Sequence, residues 1–211
     1  MSIETRHPGT LAVHLVDDEA PVRDALGFLF SSHGLAVHAY DSGPALLARL
    51  DETELQGCIL LDVRMEPMSG LQVQGELVAR GVRLPVIFLT GHGDIPMAVD
   101  ALKNGAFDFV EKPFSDTALV ERVQRALAVA EAQHASRAAG DEFAARLASL
   151  TEREREVMHR VAAGKLNKVI GDELNISVRT VEVHRARVFA KLGVRSAAEV
   201  ATLLAQGRGA G

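Results

Sequence analysis

From Leu11 to Leu127 the hydrophobic pattern changes period repeatedly. Short apolar runs at Leu11–Val16, Leu35–Ala39, Cys58–Leu61, Val86–Leu89 and Phe107–Val110 alternate with segments of helical spacing. Those segments carry Val22/Ala25/Leu26/Leu29, Ala45/Leu46/Leu50, Leu71/Leu77/Val78, Met97/Ala98/Ala101/Leu102 and Leu119/Val123/Leu127. A continuous apolar run reads as a strand covered on both faces. Strands separated by helices imply parallel βαβ units. The pattern predicts a doubly wound, five-stranded parallel α/β sheet over residues 1–128. Gly34, Gly81 and Gly105 stand where left-handed helix C-caps are expected, and Pro85 opens the fourth strand, where its missing N–H does little harm.

Beyond Leu127 the strand pattern ends. Residues 129–147 are rich in helix formers, with Gly140 expected to break the helix and Asp141 to cap a further short one around Phe143 and Leu147. This stretch suits either a stiff helical spacer or a mobile tether. From 148 to 211 the spacing is helical throughout. Thr151-Glu152-Arg153-Glu154 is a capping box opening a helix with Val157, Met158 and Val161 on one face, closed by Gly164. A short helix follows from Asn167 to Leu174, in which Gly171 would permit a close helix crossing. After Asn175-Ile176, Ser177 caps a third helix ending at Leu192 before Gly193. Two helices joined by a tight turn make a helix-turn-helix, so the fold is a doubly wound α/β sheet followed by a small all-α four-helix domain.

Charge divides the chain at the same place. Residues 1–147 hold 12 Lys and Arg against 21 Asp and Glu, while residues 148–211 hold 11 against 7. A basic module after an acidic one is a candidate for nucleic acid, or simply a solvated surface. The lone Cys58 excludes disulfides within the chain, no apolar run reaches the length of a membrane span, and Met1 to Thr10 lacks a signal-peptide core. A cytoplasmic setting with no membrane partner is expected.

The strand ends carry the chemistry. The first ends in Asp17-Asp18, the third in Asp62, the fourth in Thr90 and the fifth in Glu111-Lys112-Pro113. In an open α/β sheet, sites form outside the carboxyl ends of the strands. Clustered carboxylates repel unless a cation compensates them, and oxygen ligands favour a hard ion such as Mg²⁺. Lys112 and that ion would stabilise a transferring phosphoryl group, with Asp62 as nucleophile. In the third carboxy-terminal helix, Val181, Val188 and Leu192 form the core stripe. Arg179, Val183, Ala186 and Ala190 lie opposite, flanked by Glu182 and Arg187. That surface is either a solvated face or one that enters a major groove.

Residues 10–128 resemble the receiver domain of two-component response regulators, a flavodoxin-like fold. The resemblance rests on Val16-Asp17-Asp18, Leu61-Asp62, Leu89-Thr90-Gly91 and Glu111-Lys112-Pro113, with Phe109 three positions before the lysine. Thr90-Gly91-His92-Gly93-Asp94 and Glu111-Lys112-Pro113-Phe114 resemble the FixJ branch. Position by position, the resemblance implies Asp62 as phosphoacceptor. Asp18, Asp62 and the Arg64 backbone carbonyl would hold Mg²⁺, with Asp17 acting through water. Thr90 and Lys112 would bind phosphoryl oxygens, Phe109 would be a rotating switch aromatic, and the Lys112–Pro113 bond would be cis. One departure is visible: Glu66 stands where the family commonly has proline, with Pro67 after it.

Residues 148–207 resemble the LuxR-type DNA-binding domain through Leu150-Thr151-Glu152-Arg153-Glu154, Asn167-Lys168-Val169-Ile170 and Arg179-Thr180-Val181-Glu182-Val183-His184. The likeness implies base-edge contacts from Glu182, Val183 and Ala186 and phosphate contacts from Lys168, Ser177, Arg179, Thr180 and Lys191. Arg187 flanks that surface. Ala197, Val200, Ala201 and Leu204 on the last helix are the usual dimer contact, and Gly207 to Gly211 are expected to fray.

Together the two resemblances imply a FixJ/NarL-type response regulator. Its partners would be a sensor histidine kinase, double-stranded promoter DNA, a second copy once phosphorylated (through the surface from Met97 to Val110) and RNA polymerase, as an activator. Three rival functions share parts of this pattern. An aspartyl-phosphate phosphohydrolase needs a second acid two residues after the nucleophile, where Arg64 stands. A phosphorylation-independent regulator would use the receiver only for dimerisation or interaction, yet such proteins usually lose one of the acidic pair, the threonine or the lysine. A protein-binding adaptor would lack the steep salt dependence of phosphate contacts. An enzyme acting on an external substrate is not expected.

Overall fold

The computed structural model describes residues 11–91 and 102–208, with the side chains of 206–208 left aside. The chain divides into two compact units, residues 1–134 and 135–211.

The first unit is built on β1 (Ala12–Val16), β2 (Ala36–Tyr40), β3 (Gly57–Asp62), β4 (Val86–Thr90) and β5 (Asp108–Glu111), parallel and ordered β2-β1-β3-β4-β5. All five expected strands form, within a residue or so of the expected bounds. Alternate side chains of the inner strands enter opposite cores. Val13, Leu15, Cys58, Leu60, Ile87 and Leu89 pack with α1 (Ala20–Ser32) and the first turns of α4 (Asp116–Ala148). Val16, Ile59, Leu61, Val86 and Phe88 pack with α2 (Gly43–Glu52) and α3 (Gly70–Ala79). Such two-sided burial explains the unbroken apolar runs, because neither face of β1, β3 or β4 meets water. Gly34, Gly81 and Gly105 all take positive φ, as expected of them. The expected helix at Met97–Leu102 falls mainly outside the described residues.

Helix α4 corrects the expectation for residues 129–147. Gly140 does not break it, and no new helix starts at Asp141: one helix runs from Asp116 to Ala148. Glycine costs only about 1 kcal/mol inside a helix, and its neighbours are chiefly Ala, Glu, Gln and Arg, which lose little entropy there. Every residue from Glu131 to Glu142 is exposed, so this stretch holds its helix by propensity rather than burial.

The second unit contains α5 (Glu152–Ala162), α6 (Asn167–Leu174), α7 (Val178–Leu192) and α8 (Ala197–Arg208). Thr151 and Glu154 form the capping box reciprocally, and Ser177 Oγ accepts from Thr180 N at 3.1 Å. Asn175, with φ 54°, makes the turn between α6 and α7, and Gly193, with φ 70°, ends α7. The core takes Val157, Val161, Ile170, Leu174 and Val181 on one side and Leu150, Met158, Val188, Leu192, Val194 and Val200 on the other. Gly171 permits the close crossing expected of it: a Cβ there would stand 2.8 Å from the Ile176 carbonyl oxygen in the turn and 3.8 Å from Val178 N and Val181 Cγ2 of α7. Two details differ from expectation. Val200 is fully buried in this unit's own core and is not offered to a partner, while Leu204 is partly buried against the same cluster. Gly207 lies within α8 rather than in a frayed tail, and residues 209–211 lie outside the described set. Among the described residues no helix is long and apolar enough to cross a membrane.

Candidate functional site

Register brings the first cluster together. Val16 pairs with Leu61, so the next residues, Asp17 and Asp62, leave adjacent strands side by side. On the other flank Asp62 pairs with Leu89 and Thr90 with Glu111, which sets Lys112 over the end of the sheet. The Lys112 ammonium donates to Asp62 Oδ1 at 2.6 Å and to Asp17 Oδ2 at 3.3 Å. Asp62 is 6% exposed and Asp17 fully buried, so the lysine supplies the compensating charge that two adjacent carboxylates require.

Each carboxylate is oriented at its other oxygen. Arg64 N–H donates to Asp62 Oδ2 at 2.7 Å, and Glu19 N–H to Asp17 Oδ1 at 2.9 Å. Burial pushes the Asp62 carboxyl above its ordinary pKa, more than Lys112 pulls it down, and the Asp17 charge adds to the rise. Burial would lower Lys112, but its bonds to Asp62 and the charges of Asp62 and Asp17 raise it overall. Thr90 is buried, and its hydroxyl donates to the Gly91 carbonyl at 3.2 Å. Phe109 is half-buried and packs against the cluster that contains Phe88. The Lys112–Pro113 bond is cis as expected, and so is Glu66–Pro67.

Asp18 stands exposed beside this cluster. Among the described residues no three carboxylate, imidazole or thiol groups gather into a metal cage. The Asp17 and Asp62 carboxylates nevertheless suit Mg²⁺, which takes only one or two protein carboxylates and keeps several waters.

Two contributors escaped the sequence reading. Arg23, one turn into α1, donates to the Asp17 carbonyl at 2.8 Å. Gly70, first in α3, lies so close to β3 that a Cβ would stand 2.2 Å from the Asp62 carbonyl oxygen. A basic residue six positions after the acid was a faint clue to the first, whereas the second depends on the folded path alone.

The second cluster lies on α6 and α7. Lys168, Ser177, Arg179, Glu182, Val183, Ala186 and Arg187 are exposed and Thr180 is half-exposed, while Val181 and Val188 face the core. The Ser177 and Thr180 hydroxyls lie 2.8 Å apart at the start of α7, where free backbone N–H groups and the helix dipole favour phosphate. Lys191 departs from this group. Its ammonium donates to Glu154 Oε2 at 2.6 Å and to the Ser149 carbonyl at 2.9 Å. Glu154 is 2% exposed, and an uncompensated charge so deep would be costly. The Lys191 bond and the Thr151 N–H hold its pKa down at about 2.

The comparisons with known proteins match both parts of the chain. The family model for the response regulator receiver domain matches residues 13–124, and that for bacterial regulatory proteins of the luxR family matches residues 148–204. The chain is 50% identical over 196 residues to the C4-dicarboxylate transport transcriptional regulatory protein DctR of Rhodobacter capsulatus, covering 92% of this chain and 99% of that protein. It is 46% identical over 184 residues to the transcriptional regulatory protein FixJ of Rhizobium meliloti (strain 1021), covering 87% and 90%. Among solved structures, the response regulator StyR superposes with a TM-score of 0.86 at 37% identity, over 94% of this chain and all of that one. Full-length FixJ from B. japonicum gives a TM-score of 0.58 at 40% identity, over 93% and 97%. With both halves matched and relatives of its own length, this chain belongs to the FixJ/NarL family of response regulators, transcriptional regulators that join a receiver domain to a LuxR-type DNA-binding domain.

Proposed function

We propose that the protein is switched by phosphorylation of Asp62, received from a sensor histidine kinase in the cytoplasm. The carrying observation is the Lys112 ammonium shared between Asp62 and Asp17 at the strand ends. An Asp62 carboxylate oxygen attacks phosphorus, the P–N bond to the donor histidine breaks as the new O–P bond forms, and that imidazole leaves. Bound through Asp17, Asp18, Asp62 and the Arg64 carbonyl, Mg²⁺ would supply countercharge for the phosphoryl oxygens. The chain's own residues do the rest. The Arg64 N–H fixes the plane of the carboxylate, Lys112 follows the new negative charge, and the Thr90 hydroxyl exchanges the Gly91 carbonyl for a phosphoryl oxygen. Phe109 turns inward behind Thr90. The acyl phosphate so formed carries more negative charge than the carboxylate it replaces, at a position where burial already makes an anion costly, so Lys112 and the ion are needed to compensate it.

The phosphorylated form pairs as a homodimer through the surface from Met97 to Val110, of which Met97–Ala101 lie outside the described residues. Two copies of α7 then read half-sites about 34 Å apart on double-stranded promoter DNA. Glu182, Val183 and Ala186 face base edges, with Lys168, Ser177, Arg179, Thr180 and Arg187 along the phosphates. The outcome is activation through RNA polymerase.

The test is sedimentation of the wild type and Asp62→Asn, each with Mg²⁺, with and without beryllofluoride. Dimerisation of the wild type alone, and only with the phosphoryl mimic, is expected. If both proteins stay monomeric, or both dimerise without it, a phosphorylation-independent regulator replaces this reading.

A further inference from the structure

Arg185 is an arginine of the reading helix that does not belong to the reading face. Four residues after the core position Val181, it sits ~40° around the helix from it, whereas Ala190 lies ~180° away at the centre of the outward surface. Its Nη1 donates to Asn167 Oδ1 at 2.6 Å, and its guanidinium carbon lies 5.4 Å from the centroid of the Phe189 ring. Asn167 is the first residue of α6. One planar cation, held against an aromatic ring on its own helix, therefore grips the start of the neighbouring helix.

That end of α6 is otherwise tied through Lys165, just before it, whose N–H donates to the Arg160 carbonyl at 3.1 Å and whose ammonium pairs with Glu173. The N-cap itself, Leu166, makes no side-chain cap bond and is 74% exposed. A cavity of about 440 Å³ opens beside it, lined among others by Gly164, Leu166 and Ala197. The far end is secured by buried Ile170 and Leu174, by the close passage of Gly171 under the Ile176 carbonyl, and by Arg153, which donates to the Leu174 carbonyl. A helix buried from its middle to its C-terminal end and open to solvent at its start depends on such a strut to hold the angle of that start.

We infer that Arg185 is a positioning residue: through Asn167 it sets the angle of α6 on α7, and so keeps Lys168 in register with the base-reading side chains Glu182, Val183 and Ala186. Lys168 and α7 must meet the same groove together, and a shift of an ångström at either loosens the fit. This rests on the reading that α7 enters the major groove. Arg185 contributes to sequence discrimination without touching DNA. Lysine is a poor substitute, because an ammonium cannot both lie over the ring and present a planar fork to the amide.

The experiment uses the full chain with Mg²⁺ and beryllofluoride, and two duplexes: one selected from a random pool by the wild type, and one scrambled. Arg185→Ala should lose about tenfold in affinity for the selected duplex, the scale of one good base contact. Affinity for the scrambled duplex, the slope of log affinity against log salt and the melting temperature should stay at their wild-type values. Asn167→Ala should reproduce the loss, the double variant should add nothing further, and Arg185→Lys should recover only part. A salt slope shallower by about one would make Arg185 a phosphate contact and overturn the proposal. Equal losses on both duplexes with a lower melting temperature would reduce it to a general stabilising residue, overturning it too. If the wild type enriches no sequence from the pool, the major-groove reading fails, and this inference with it.

Discussion

Gly70 shows what one residue does for the phosphoacceptor that no charge reveals. Its N–H donates to the Val63 carbonyl at 3.0 Å, and its missing side chain leaves room for the Asp62 carbonyl. Alanine there would place a methyl carbon against backbone that has no spare rotamer. Gly70→Ala should therefore destabilise the receiver by roughly 1–3 kcal/mol, the usual cost of overpacking, and should weaken binding of beryllofluoride more than tenfold as the end of β3 is displaced. Thermal melting with and without the mimic reads both effects. Unchanged mimic affinity would mean that the loop absorbs the methyl group without moving Asp62. The contrast with Asp62 and Lys112 marks the limit of legibility at this scale. Those residues announce themselves because a carboxylate and an ammonium at strand ends have few uses in common. Gly70 looked like any turn glycine, since its task is set by which backbone passes over it. Lys191 shows the opposite case: its position alone suggests a phosphate contact, and only the fold reveals its ion pair with Glu154, a buried carboxylate 37 residues earlier.

At the scale of elements, the strands were readable because burial on both faces leaves an unbroken apolar run, and the caps at Thr151, Ser177 and Gly193 because each is a local bargain between a side chain or a positive φ and a helix end. Helix α4 was only half readable. Its first turns carry a buried stripe through Leu119, Val123 and Leu127, but from Glu131 to Glu142 every residue is exposed, and a glycine in such a stretch reads as a stop. Propensity prevailed because nothing competed with it. A solvated helix of this kind is marginal, and its cooperativity makes each interior residue count. Gly140→Ala should slow amide hydrogen exchange across residues 136–146 about fivefold, the equivalent of the ~1 kcal/mol that separates glycine from alanine in a helix. Gly140→Pro should abolish protection there while leaving α1 and α7 unaffected. Equal exchange in wild type and Gly140→Ala would mean that the segment is not helical in solution.

At the scale of the whole molecule, the two units answer acid through different groups. His14 on β1 is 2% exposed and neutral: its Nε2–H donates to the Gln56 carbonyl and its Nδ1 accepts from the Tyr40 hydroxyl, each at 3.2 Å, with His38 stacked at 5.6 Å. Burial lowers its pKa from 6.5 to about 4, against the Gln56 bond, which raises it, while nearby His38 and Arg49 lower it further. The unfolded chain thus takes up a proton below pH 6.5 that the folded receiver refuses until about pH 4. Receiver stability falls across that window, by roughly 2 kcal/mol at pH 5. Glu154 in the second unit is depressed from 4.5 to about 2, so its contribution is intact above pH 4.5 and is lost only as pH falls from there towards 2. Calorimetry at pH 7.5 and 5.0 should therefore show two transitions, with acidification lowering the receiver's by several degrees and leaving the other in place. His14→Gln should remove the receiver's shift. Glu154→Gln, which strips Lys191 of its partner ion, should lower the second transition at both pH values. A single transition that moves as one would show that the helix spanning residues 116–148 makes the units melt together. Persistence of the shift in His14→Gln would assign it to another group.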